Sequence, residues 1–154
     1  MEVAKSTSFL SHAQRLKVGA VIVKDHNIIS FGYNGMPSGM DNECEDREYA
    51  NEWNINNKEW QYEDSDGKPF NLKTKPEVIH AEANAIAKLA RTNNSSDGAD
   101  IFITHAPCVE CSKLILQSGI KRVYYGSNYR DESGIQLLHS AGLTVTQLEE
   151  KTWT

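Results

Sequence analysis

A three-layer α/β/α fold, with a mixed sheet of about five strands between its helices, is what this sequence predicts. Three observations carry the prediction: a hairpin pattern near the N-terminus, a regular alternation of helix and strand from residue 80 onward, and glycines placed just past two of the later helices. A hairpin pairs antiparallel, whereas strands joined by helical crossovers pair parallel, so the two patterns together make the sheet mixed.

The elements follow in order. Val3 to Ala13 has apolar residues at 3, 9, 10 and 13, a helical pattern. Val18 to Lys24 and Ile28 to Tyr33 are β-branched or aromatic runs linked by Asp25-His26-Asn27, which reads as a β-hairpin. Gly35, Pro37 and Gly39 then break regular structure and open an insertion at about residues 40–78 that is rich in Asn and acid. Tyr49, Trp53 and Trp60 fall at i, i+4 and i+11, so a helix there would bury one aromatic stripe against the body, an arrangement that Asn54, Asn56 and Asn57 oppose. From His80 the expected elements are a helix to about Arg91, a strand at Asp100 to Thr104 and a helix from Cys108 to Ser118. A strand at Arg122 to Tyr125, a helix at Glu132 to Ser140 and a strand at Leu143 to Gln147 complete the series. Gly119 and Gly142 sit where a positive φ satisfies the last helical carbonyls.

Composition bounds what such a fold can do. A chain of 154 residues that is 39% apolar and 24% charged is expected to form one domain over residues 1–154 around one core. Three cysteines are an odd count, which fits a reducing compartment where thiols serve as metal ligands, nucleophiles or core residues. The longest apolar run, Val18 to Val23, is too short to cross a bilayer, and Met1 to Leu10 lacks the pattern of a signal peptide, so a cytoplasmic protein without a membrane partner is expected. The net charge of −5 argues against nucleic acid as a partner. Between Asp41 and Lys68, ten acids face three bases, a local −7 that leaves the rest of the chain at +2. A slightly basic body suits a small anionic substrate, and a solvated acidic excursion is the preferred reading of the segment itself.

The residues that carry chemistry are His80-Ala81-Glu82 and Pro107-Cys108-Val109-Glu110-Cys111. Either half alone is weak, but together they form the signature of zinc-dependent deaminases. Two cysteines separated by two residues at a helix N-terminus turn both sulfurs toward one point, where free amides and the helix dipole favour thiolates. With a neutral imidazole from His80 they balance a zinc dication and leave a fourth position for water, the arrangement of catalytic zinc. Glu82, two residues beyond His80, reaches that water as a proton shuttle. The implied reaction is hydroxide attack on the amidine carbon of an aminated ring. Glu82 takes the water proton, protonates the ring nitrogen and delivers a proton to the departing amine. A structural zinc site would require a fourth protein ligand, and Cys44 is the only other thiol. A redox dithiol would leave His80 and Glu82 idle.

With these residues, the chain resembles the deoxycytidylate (dCMP) deaminases, members of the cytidine deaminase-like superfamily found in cells and in large DNA phages. The resemblance covers most of the chain: Val18 to Ile22, Gly32-Tyr33-Asn34-Gly35-Met36-Pro37-Ser38-Gly39, His80 to Ile86, and Pro107 to Cys111 running into Gln117 to Lys121. The Tyr-Asn-Gly-Met-Pro-Ser-Gly stretch is the part similar to the nucleotide deaminase branch rather than to the superfamily at large. The resemblance implies the cytidine deaminase-like fold and conversion of dCMP to dUMP with release of ammonia. It also implies one catalytic Zn2+ per chain, with His80, Cys108 and Cys111 as ligands and Glu82 as the catalytic residue.

For the substrate, it implies that Asn34 bonds the deoxyribose, that Ala81 offers its backbone N–H to the base and that Tyr129 lines the nucleotide pocket. Asn34 as a turn residue and Tyr129 as a packing aromatic are the alternatives. Lys17, Arg15 and Arg130 are the candidates for the 5′-phosphate, each with a solvated surface charge as its alternative. The resemblance further implies a homohexamer activated by dCTP and inhibited by dTTP, with Mg2+ beside the regulatory nucleotide. Arg91 is the candidate for that interface or regulatory link, and a cation at a helix C-terminus is its alternative. Two departures stand out. The insertion region, which holds a second zinc in some relatives, contains Cys44 and no His, and position 105 holds His where relatives commonly have an apolar residue.

Overall fold

The β-branched runs meet across a two-residue turn. In this computed structural model, which describes residues 1–129 and 131–148, β1 (Gly19–Lys24) pairs antiparallel with β2 (Asn27–Tyr33). Asp25 and His26 both adopt positive φ, 49° and 64°, the mirror-image turn whose twist matches that of the flanking strands. β1 pairs antiparallel on its other side with β6 (Asp100–His105), which pairs parallel with β7 (Arg122–Ser127), itself parallel to β8 (Thr144–Gln147). The five-stranded sheet β2-β1-β6-β7-β8 is therefore mixed, as expected. The parallel half is connected by α3 (Val109–Gln117) and α4 (Ser133–Ser140).

The core lies on one face of this sheet. Ala20, Ile22, Ile101, Ile103 and Val123 meet Ala85 and Leu89 of α2 (Ala81–Leu89), Ile115 of α3 and Leu138 of α4, all buried. Each fully buried Ile or Leu removes enough apolar surface from water to contribute about 1.5–3 kcal/mol. α1 (Glu2–Ser8) covers the opposite face. A Cβ on Gly19 would strike Ala4 O and Ser8 N of α1, whereas one on Gly32 would strike Ala81 O and Ala85 N of α2. Gly19 and Gly32 are one position apart in the hairpin register, hence on opposite faces, so each provides the notch that admits one helix. Among the described residues no helix is long and apolar enough to cross a membrane.

Two expected elements differ. The first helix ends at Ser8, short of Ala13. Thr7 and Ser8 hydroxyls donate to Val3 O (2.8 Å) and Lys5 O (2.7 Å), while Ser11 Oγ donates to Asn34 O (2.7 Å) and accepts from Ala13 N (3.1 Å). These bonds draw residues 11–13 to the loop after β2, where hydroxyl side chains compete with helix propagation.

The aromatic helix of the insertion does not form. In its place is a second sheet, β3-β5-β4, from β3 (Glu45–Tyr49), β4 (Tyr62–Glu63) and β5 (Pro69–Thr74). Tyr49 and Tyr62 pack on Phe70 with ring centroids 5.5 and 5.4 Å away, and Trp53 is 87% exposed. Asn51 Oδ1 accepts from Trp53 N and Asn54 N, and Asn54 Oδ1 accepts from Asn51 N, bonds that accompany a run of turns over residues 52–57. The excursion leaves and returns at a two-bond bridge between Gly35 and Ile79 (3.1 and 2.9 Å), one residue before His80.

Candidate active site

Two helix starts face one another. His80 is the extended residue capping α2, and Cys108 caps α3, its sulfur accepting from Cys111 N at 3.5 Å. His80 Nδ1 lies 3.5 Å from Cys108 Sγ and 3.4 Å from Cys111 Sγ, and the three donor atoms all fall within 4.8 Å of one another. Zinc–sulfur bonds of about 2.3 Å and zinc–nitrogen bonds of about 2.0–2.1 Å at a tetrahedral angle separate N from S by about 3.6 Å. The spacing therefore fits a zinc ion, and the soft sulfur pair with one imidazole fits its chemistry. Among the described residues this is the one group of three His, Cys, Asp or Glu side chains that could hold a metal.

The ionisation of the group points the same way. Hydrogen bonds from the Cys111 thiol and the His80 ring pull the Cys108 thiol down to about 3. Cys111 is pushed up, first because it gives its proton to the Cys108 sulfur and second by burial. His80 is raised by its bond to Cys108. A bound dication would hold both sulfurs as thiolates. Glu82, in the first turn of α2, is 4% exposed, and burial raises its pKa from the ordinary carboxylate value. A carboxyl group shifted in that direction holds a proton more readily than a solvated one, as a proton carrier must.

A cavity of about 520 Å³, within the usual range for small-molecule sites, opens over this group. His80, Ala81, Glu82 and Cys108 line it together with Asn34, His105 and Tyr129. Asn34 is already engaged: its amide donates to Leu16 O and accepts from Val18 N, both at 2.8 Å, so it shapes the loop before β1. Lys17 is exposed and does not line the cavity. Leu16 and Val18 do, and side chains alternate along extended backbone. Arg15 does line it, with Nη1 donating to Thr74 Oγ1 at 3.0 Å. Arg130 lies outside the described residues. Arg91 is exposed just past α2. Cys44 is buried at the root of the insertion, its thiol bonding Asn42 O.

Sequence reasoning missed the far wall. Glu45, Gln61, Tyr62 and Thr74, all from the insertion, line the cavity. The segment read as a solvated excursion is thus in part a cavity wall. No local signal marks these residues, because their position depends on the Gly35–Ile79 closure, and only the excess of acid and aromatic residues hinted at a folded unit.

Comparison with known proteins agrees with this geometry. Residues 1–127 match the family model described as the cytidine and deoxycytidylate deaminase zinc-binding region. ComE operon protein 2 of Bacillus subtilis is 37% identical over 90% of this chain, which spans 64% of that protein's length. The deoxycytidylate deaminase of Enterobacteria phage T2 is 33% identical, with 99% of this chain and 92% of the phage protein covered. The crystal structure of dCMP deaminase from cyanophage S-TIM5 in complex with dCMP and dUMP superposes with a TM-score of 0.76 at 38% identity, covering 96% of this chain and 92% of that one. Two cysteine sulfurs and one imidazole beside a buried carboxyl, on a fold shared almost end to end with such proteins, make this chain a member of the cytidine and deoxycytidylate deaminase family.

Proposed function

We propose that the protein deaminates dCMP to dUMP, releasing ammonia. The observation that carries this reading is the placement of buried Glu82 beside the His80, Cys108 and Cys111 donors in one nucleotide-sized cavity. When bound by these three residues, zinc supplies Lewis acidity and activates a water molecule. Glu82 then acts as the proton carrier. Its carboxylate takes one water proton and gives it to N3 of the cytosine ring; it then takes the remaining proton from the hydroxyl now on C4 and delivers it to the departing amine, so that ammonia leaves as the C4 carbonyl forms. The Ala81 N–H, at the start of α2, is a donor to the base carbonyl. Tyr129 flanks the nucleotide, and the N–H of Asn34 not used by Leu16 is the one left for the sugar. For the 5′-phosphate the assignment passes from Lys17 to Arg15, whose guanidinium lines the cavity.

The family resemblance supports a further layer: a homohexamer, dCTP as activator, dTTP as inhibitor, Mg2+ with the regulatory nucleotide and Arg91 near that link. The reading also takes residues 1–154 as one domain acting in the cytoplasm. The test is a side-by-side measurement of ammonia release from dCMP, CMP, deoxycytidine, cytosine and a cytosine-containing oligonucleotide, with and without dCTP and dTTP. Preference for dCMP is expected. Preference for the unphosphorylated nucleoside would overturn the nucleotide assignment, and unchanged rates with either triphosphate would remove the regulatory layer.

A further inference from the structure

Neither the metal group nor the proton carrier uses His105, although its ring lines the cavity. Side chains alternate along a strand, so β6 carries Ile101, Ile103 and His105 on one face. The first two are buried in the core, and the third brings that row into the cavity. Its Nδ1 lies 3.1 Å from Thr104 Oγ1, and that same oxygen accepts from the Gly19 amide at 3.1 Å. An amide only donates, so the hydroxyl proton is free for another acceptor, and among the described residues Nδ1 of His105 is the one within hydrogen-bond distance. A ring whose Nδ1 accepts carries its proton on Nε2 when neutral, and burial favours the neutral ring. Nε2 lies across the ring from Nδ1, so its N–H is directed away from Thr104, on a ring that lines the cavity.

We propose that His105 is a substrate-binding residue whose Nε2–H donates to an oxygen of the nucleotide, with Thr104 as the positioning residue that fixes the tautomer. This rests on the nucleotide deaminase reading and adds to it a side-chain donor.

Long-range 1H–15N NMR of the zinc-loaded protein reads the tautomer directly, without any variant, and the Nε2-protonated form is expected. Thr104→Val should release the ring to a mixture of tautomers. His105→Leu should raise KM for dCMP about tenfold, the loss of one good hydrogen bond, with kcat little changed. Repeating the measurement with deoxycytidine locates the oxygen. A penalty that persists assigns it to base or sugar, and one that vanishes assigns it to the 5′-phosphate. An Nδ1-protonated ring in the parent protein, or an unchanged KM for both substrates in His105→Leu, would overturn the proposal. If the parent protein released no ammonia from dCMP, the deaminase reading would fall. In that case dUMP affinity measured by calorimetry takes the place of KM, with the same tenfold loss expected.

Discussion

The two walls of the cavity are built by different means. One is made where α2 and α3 begin, on the ends of a five-stranded sheet, and it carries His80, Glu82 and Cys108, with Cys111 buried beside them. The other is a small three-stranded sheet returned by the insertion, and it carries Glu45, Gln61, Tyr62 and Thr74. The first wall holds the groups that can bind metal and move protons, fixed by core packing beneath them. The second holds polar and aromatic side chains over a much smaller hydrophobic cluster centred on Phe70. The division teaches that the metal-binding and proton-carrying groups stand on the larger core, while the opposite wall stands on a separate and much smaller one.

Substitutions that touch one wall alone should separate these roles. The largest effect is expected from Glu82→Gln, which should cut ammonia release by about 10²–10⁴-fold while zinc content by atomic absorption stays at that of the parent. Turnover near the parent rate would take proton transfer away from the first wall. Phe70→Ala should then cost about 3 kcal/mol in the stability of the second sheet. The loss should appear in native-state hydrogen exchange at β3 and β5, and zinc should again be retained; loss of metal would show the two walls to be one cooperative unit. Glu45→Ala should act more narrowly. The Glu45 carboxylate accepts from Gln14 N (3.1 Å) and Arg15 N (3.2 Å), so it holds the backbone that presents Arg15. Its removal should raise KM for dCMP by roughly threefold to tenfold and leave deoxycytidine unaffected.

The smallest effect concerns pH. Burial holds His105 below the ordinary 6.5, so the unfolded chain takes up this proton before the folded one as pH falls. Stability therefore declines on acidification from about 6.5 toward the lowered folded value. His105→Leu should flatten the fall in Tm between pH 7 and pH 5, and an unaltered slope would remove His105 from the acid response.

The contrast between the walls also explains what could be read in advance. The hairpin, the mixed sheet and the later helices are encoded by local patterns: β-branched runs, 3.6-residue periodicity and Gly119 and Gly142, which do adopt positive φ of 76° and 82°. The metal group was legible because both halves are short motifs at helix starts, each needing only its own turn to aim its donors. The choice of Nδ1 of His80, in contrast, depends on how α2 lies against α3. Asn34 is marked in the sequence as a candidate sugar ligand, whereas its bonds to Leu16 and Val18 could not be read there, because they join residues far apart in pattern and adjacent only in the fold. Tyr49 and Trp53 looked like a helical stripe because spacing alone does not reveal that Asn51 and Asn54 cap the backbone between them.

The bridge between Gly35 and Ile79 carries a further consequence. It fastens the chain immediately ahead of His80, so whatever is spliced between its two ends leaves the imidazole where it was. Chain closure becomes costlier only slowly with length, about 0.6 kcal/mol for each doubling. A lineage could therefore trade one such segment for another, longer or shorter, and try new ligand preferences on an unaltered reaction centre.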